Sequence, residues 1–126
     1  MLFLCACVCV FALLASQNNR GRWFHGFISL TQANALLMDQ PPGTFLLRFS
    51  SNPGCYALAL KHQDDGPVDK RVIHWRIEKA PESSGKTFAI FARLYDNITE
   101  IVETHRLEPL TLKNGQKVTL LKQPCP

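Results

Sequence analysis

From residue 29 onward the apolar positions keep one of two periods, and the period predicts the elements. Ser29 and Gln32 form an S-x-x-Q capping box, in which each side chain satisfies the other residue's backbone amide. It predicts a helix with Ala33, Leu36 and Leu37 on the buried face. Asp39-Gln40 and "PPG", Pro41 to Gly43, stop that helix. "GTFLLRFS", Gly43 to Ser50, is apolar on both faces and reads as a strand covered on both sides. "SSNPG" turns the chain, and "CYALALKH", Cys55 to His62, is a second strand. After the polar loop "QDDGPVD", "KRVIHWRIEK" alternates: Ile73, Trp75 and Ile77 point one way, and His74, Arg76 and Glu78 the other. "TFAIF", Thr87 to Phe91, is a short strand after the loop "APESSGK". Asn97 and Glu100 frame a second capping box, and Ile98, Ile101 and Val102 supply that helix's apolar stripe. Asn114-Gly115 marks a turn, and "KVTLLK" a last short strand.

Hairpin-length loops imply antiparallel pairing, and the two-sided strand needs a layer on each face. The expected fold class is therefore α+β, a central antiparallel sheet flanked by one α-helix on each face. The 126 residues suffice for one domain with a modest core, and an apolar fraction of 46% excludes a disordered chain. A net charge of +4 suits phosphate ligands, nucleic acid or acidic peptides and selects none of them. Three of the five cysteines, Cys5, Cys7 and Cys9, crowd the start. Cys55 and Cys125 are too few and too far apart for a disulfide framework, so the body reads as cytoplasmic.

Residues 1–21 form a separate apolar leader, and 22–126 the folded domain. "MLFLCACVCVFALLAS" lacks the positive start of a secretory signal and is short of the ~20 apolar residues that span a bilayer. It reads as a mis-called start or an unstructured lead-in. The alternative is an anchor, inserted or palmitoylated, that would associate the domain with a membrane through residues 1–16 and keep it on the cytoplasmic side, as Arg20 and Arg22 require.

One residue conflicts with its surroundings. Arg48 lies mid-strand among Phe45, Leu46, Leu47 and Phe49, and a guanidinium cannot escape burial by neutralising. Its partner is either an internal carboxylate or a ligand. No acidic residue follows within fifteen positions, and Asp39 ends a surface helix.

The order of these pieces carries a resemblance. "WFHGFIS" from Trp23, a helix, "GTFLLRFS", "IHWRI", "YDNITEIV" and "LLKQPCP" together resemble the Src-homology-2 domain over Trp23 to about Cys125. The "FLLRFS" form, with Phe49 in place of the commoner acidic residue, is similar to the variant in STAT-type transcription factors and in amoebal kinases that carry this domain. The resemblance implies a non-catalytic module that binds tyrosine-phosphorylated proteins in intracellular signalling. Arg48 would meet two oxygens of the phosphate at once. Ser50, on the same face, would reach others with its hydroxyl, as would the amides of Ser51 and Asn52. His74 and Arg76 would line the pocket, His74 holding the arginine or the ring. Trp75 and two loops around Ala92–Tyr95 and Glu108–Gln116, with Arg93 and Leu94, would shape peptide specificity.

Leu30 departs from the pattern, standing where the family often has a second arginine, and Ala57 and Ala59 replace residues that are sometimes polar. This keeps open a degenerate module that binds unphosphorylated partners. A small basic domain binding nucleic acid through Arg48, Arg76, Lys61 and aromatics is the other alternative, although no nucleic acid is expected, because the basic residues are scattered. No nucleophile elbow, P-loop, zincin motif or carboxylate pair points to catalysis. Cofactors and metal ligands are expected to be none.

Overall fold

A computed structural model describes residues 23–110 and 120–126. The capping box at Ser29 forms as the sequence requires: Ser29 Oγ accepts from the Gln32 amide at 3.0 Å, and Gln32 Oε1 accepts from the Ser29 amide at 2.8 Å. It starts helix α1, Leu30–Met38. Strands β1, Thr44–Phe49, β2, Tyr56–Lys61, and β3, Val72–Lys79, follow as an antiparallel meander. A short hairpin comes next, β4, Phe88–Ile90, and β5, Arg93–Tyr95. Helix α2 is Ile98–Leu107, and β6 is Gln123–Pro124. The sheet order is β5-β4-β3-β2-β1-β6, antiparallel except for the parallel pair β1–β6. The α+β sheet with two helices is thus the architecture that the patterning predicts.

Alternation along β1 divides the core. Phe45 and Leu47, with Leu58, Leu60 and Ile77, pack on the side that buries Ile98, Ile101 and Val102 of α2. Leu46, Ala59 and Val72 pack on the other side against Ala33 and Leu37 of α1. Cross-strand register places Arg48 opposite Ala57, and Ala57 opposite Arg76, on the α1 side of the sheet. Ala59 lies opposite both Leu46 and His74.

Several expectations are corrected. Leu36 is 40% exposed, because the buried stripe of α1 is centred on Ala33 and Leu37 and turns Leu36 away. The segment Arg93–Tyr95, read as loop, is a strand. Its two-residue turn, Phe91-Ala92, has φ of +58° and +59°, which suits a hairpin turn but carries neither of the residues that usually announce one. The final pairing falls on Gln123–Pro124, beyond "KVTLLK". Of that predicted strand, 117–119 lie outside the described residues, as does the Asn114-Gly115 turn. Asn97 caps α2 by accepting from the Glu100 amide at 2.8 Å, which is one half of the expected box. Residues 1–22, and with them the leader, also lie outside the description. Among the described residues no helix is long and apolar enough to cross a membrane.

Candidate functional site

A cleft of about 490 Å³ opens between the start of α1 and the end of β1. One wall is Phe27, Ile28, Ser29, Leu30 and Gln32; the other is Arg48, Phe49, Ser50 and Ser51. Each wall is fixed by backbone. The His25 amide donates to Leu47 O at 2.8 Å and the Phe49 amide to Gly26 O at 2.8 Å, so the segment before α1 runs along β1 beyond the two residues that pair with β6. The capping box then sets where α1 begins.

Arg48 lies at the base of this cleft and is 9% exposed. Its Nη1 donates to Phe49 O at 3.4 Å, a long bond. Its Nε is buried without a partner. No carboxylate among the described residues pairs with it; the ion pairs found are Lys61–Asp64, Arg76–Glu78, Lys86–Asp96 and Arg93–Glu108. Burial draws its pKa down from the usual arginine value. A buried cation with most of its donors unused, facing a cleft, is arranged to receive an anion.

The turn after β1 is closed by the Ser50 amide donating to Cys55 O at 3.0 Å and the Cys55 amide to Asn52 O at 3.1 Å. Ser50 Oγ accepts from the Asn52 amide at 3.2 Å, so that amide is already occupied. The Lys79 side chain crosses this turn so closely that a Cβ at Gly54, where φ is +78°, would overlap it. The Lys79 side chain thus lies against the turn at Gly54.

His74 is half-buried on the same face of the sheet as Arg48. Its Nε2 lies 2.7 Å from Asn34 Oδ1 on α1, and its Nδ1 is buried without a partner. Burial and, after it, the nearby Arg48 charge push its pKa down to about 4, so the ring is neutral at physiological pH. Arg76 stands apart from the cleft: it is 54% exposed, with Nη1 3.6 Å from Glu78. Of the residues singled out in sequence, Arg48, Ser50 and Ser51 therefore line the cleft, Asn52 sits in its turn, His74 is beside Arg48, and Arg76 faces solvent.

Sequence reasoning missed Asn34 and Phe27. Asn34 carries no motif; its position beside Ala33 on the sheet-facing side of α1 was the available signal. Phe27 is 88% exposed, yet its ring lies 4.3 Å from that of Phe49 at the mouth of the cleft. A phenylalanine immediately after Gly26 and close to the capping box was its signal.

A second surface lies across β3. Trp75 is half-buried and meets Phe91 edge-on at 5.5 Å, and Phe91 meets His105 at 4.9 Å. His105 is buried: its Nδ1 lies 3.2 Å from Glu108 O and its Nε2 3.1 Å from Tyr95 Oη, both within hydrogen-bond distance. Burial lowers its pKa. Arg93 pairs with Glu108 at 2.7 Å and lies 5.4 Å from the centre of the Tyr95 ring. Leu94 is 44% exposed. Of the loop Glu108–Gln116, residues 111–116 lie outside the description.

Lys61, a candidate contact in the nucleic-acid alternative, is 2% exposed. Its ammonium donates to Met38 O at 2.5 Å and closes the C-terminal end of α1. It is therefore unavailable to a surface ligand. No group of residues suited to hold a metal ion occurs among the described residues.

A family model for the SH2 domain matches residues 23–105. Human Tensin-2 is 32% identical over 106 residues, covering 76% of this chain, and Tyrosine-protein kinase csk-1 of Caenorhabditis elegans is 33% identical over 93 residues, covering 73%. Dual specificity protein kinase shkC of Dictyostelium discoideum is 35% identical over 82 residues, covering 64%. The chain spans only 8%, 16% and 14% of those three proteins. The solution NMR structure of the SH2 domain of the Monosiga brevicollis CRK/CRKL homolog superimposes with a TM-score of 0.67 at 30% identity, covering 82% of this chain and 86% of that one. Sequence and overall fold agree: this chain belongs to the SH2 domain family.

Proposed function

We propose that this chain is a non-catalytic module that recognises tyrosine-phosphorylated peptides. The observation that carries the reading is Arg48, buried at the base of an open cleft with its Nε unsatisfied and without a carboxylate partner among the described residues. SH2 domains recognise phosphorylated motifs through arginine. Here the guanidinium takes two phosphate oxygens, and Ser50 Oγ and the Ser51 amide take the rest. The tyrosine ring lies between Leu30 and the Arg48 wall. His74, neutral, supports Arg48 rather than adding charge. Arg76 reaches the ligand only by leaving Glu78. Beyond the phosphotyrosine, the peptide crosses β3 to the surface of Trp75, Arg93 and Leu94. The module acts inside the cell, on tyrosine-phosphorylated proteins.

Leu30, 47% exposed at the cleft, gives a specific reason to weigh a second reading, a module that has lost phosphate dependence and binds unphosphorylated partners. A phosphotyrosine-peptide library with matched unphosphorylated controls separates the two. Enrichment confined to phosphorylated peptides supports the proposal, and equal enrichment of both sets supports the second reading.

A further inference from the structure

Two buried polar atoms near the cleft lack partners, and they are chemically complementary: Arg48 Nε–H is a donor, and His74 Nδ1 is free to accept. What leaves Nδ1 free is Asn34. An amide oxygen only accepts, so the 2.7 Å contact requires His74 Nε2 to carry the ring's proton. In a neutral imidazole the other nitrogen then holds a lone pair. The register permits an approach across β2. Arg48 and His74 stand on strands two apart, and Ala57 and Ala59 are the only side chains of β2 between them on that face. Two methyl groups leave room for the guanidinium and the ring to lean together.

We propose that Asn34 is a positioning residue for phosphate binding: by holding the Nε2–H form of His74 it turns a bare Nδ1 toward Arg48 and so orients the guanidinium for its ligand. This rests on the reading of Arg48 as the phosphotyrosine-binding residue. It also gives the two alanines, which at first sight thin the pocket, a use as spacers.

The charges that face His74 favour the neutral ring. Arg48 on β1 is cationic, and Lys61 on β2 is turned to the end of α1. On β3 itself, Arg76 is exposed and paired with Glu78. Helix α1, whose sequence is LTQANALLM, presents no charged residue at all. Nothing on the helix side stabilises an imidazolium, and the low pKa of about 4 is consistent with that.

The test uses the full chain and two variants, Asn34→Asp and Asn34→Leu. Long-range proton–nitrogen NMR reads the His74 tautomer in the free protein. Fluorescence polarisation reads binding of a phosphotyrosine peptide taken from the library, at about pH 8 and about pH 6, on either side of an ordinary histidine's titration. Wild type should show the Nε2–H tautomer and no protonation of His74 down to about pH 5. Asn34→Leu should mix tautomers and bind about tenfold more weakly at both pH values, with little change in melting temperature. Asn34→Asp keeps an acceptor at position 34, so it should bind like wild type at the higher pH. At the lower pH its carboxylate raises the His74 pKa, places a proton on Nδ1 against Arg48, and should weaken binding several-fold relative to wild type. The ratio to wild type at each pH cancels the peptide phosphate's own titration. An Nδ1–H tautomer in wild type, or equal binding by all three proteins at both pH values, would overturn the positioning role alone. A wild type that binds no phosphopeptide would overturn the proposed function, and the positioning role with it.

Discussion

Arg48 carries a charge that its own fold leaves largely unmet, and this has a consequence for stability. A buried ion whose partner is deleted typically costs about 3–5 kcal/mol. Arg48 has no such partner among the described residues, so Arg48→Ala should be near neutral or mildly stabilising in the absence of ligand. Thermal melts of the two proteins check this, and a large loss would reveal a structural ion pair. His74 adds a pH dependence whose sign is fixed. Its folded pKa, about 4, lies below the ordinary 6.5, so the unfolded chain binds the proton more readily. Its contribution is intact above about pH 6.5 and is lost as the pH falls toward 4. Screening of a half-buried ring keeps the effect to about 1–2 kcal/mol. His74→Gln should lose less stability than wild type over that interval in paired denaturant titrations. Identical pH slopes would show that the ring titrates normally. At this scale Arg48 was legible, because a guanidinium in an apolar strand is a chemical contradiction that any reader of the sequence meets. Asn34 was not, because an asparagine inside a helix looks like surface until the sheet opposite it is known.

At the scale of elements, what was legible had local causes. The Ser29–Gln32 box and the alternation of β1 to β3 depend on neighbours in sequence, and both appear where expected. The errors have tertiary causes. Strand β5 is three residues long, and its turn is held at positive φ by Phe91 and Ala92 in place of glycine or asparagine. Strand β6 is two residues, one of them proline, and exists only because β1 offers an edge. The Phe91-Ala92 turn carries a testable cost. A non-glycine residue in the left-handed region costs about 1–2 kcal/mol. Phe91 is held there by contacts with Trp75 and His105, whereas Ala92 is exposed and makes no ring contact. Ala92→Gly should therefore stabilise by about 1 kcal/mol, read as a raised melting temperature, and a lowered one would contradict the strain. Trp75→Ala should alter which phosphopeptides are selected more than it alters the requirement for phosphate. An unchanged library profile would argue that this surface does not read sequence.

On the scale of the whole molecule, the two candidate surfaces lie on different parts of one sheet. The α1 side holds Arg48 and His74, and across β3 lie Trp75 and the β4–β5 hairpin. In the sequence, the capping boxes at Ser29 and Asn97 and the apolar stripes of both helices and of the strands all lie after Trp23. A chain started at about residue 20 should accordingly fold cooperatively by itself, as circular dichroism and a melt would show. Failure to fold, when the full chain folds, would make the preceding segment part of the core. The central claim concerns what Arg48 binds. Its most direct test is titration of one phosphotyrosine peptide, and its unphosphorylated twin, against wild type and Arg48→Lys. Lysine keeps the charge but is a point donor and cannot reproduce the paired contacts of a guanidinium. Wild type should bind the phosphorylated peptide alone. Arg48→Lys should lose about 2–5 kcal/mol of binding, some 30-fold to several-thousand-fold, while melting like wild type. A lysine variant that binds the phosphopeptide as tightly as wild type would contradict the account.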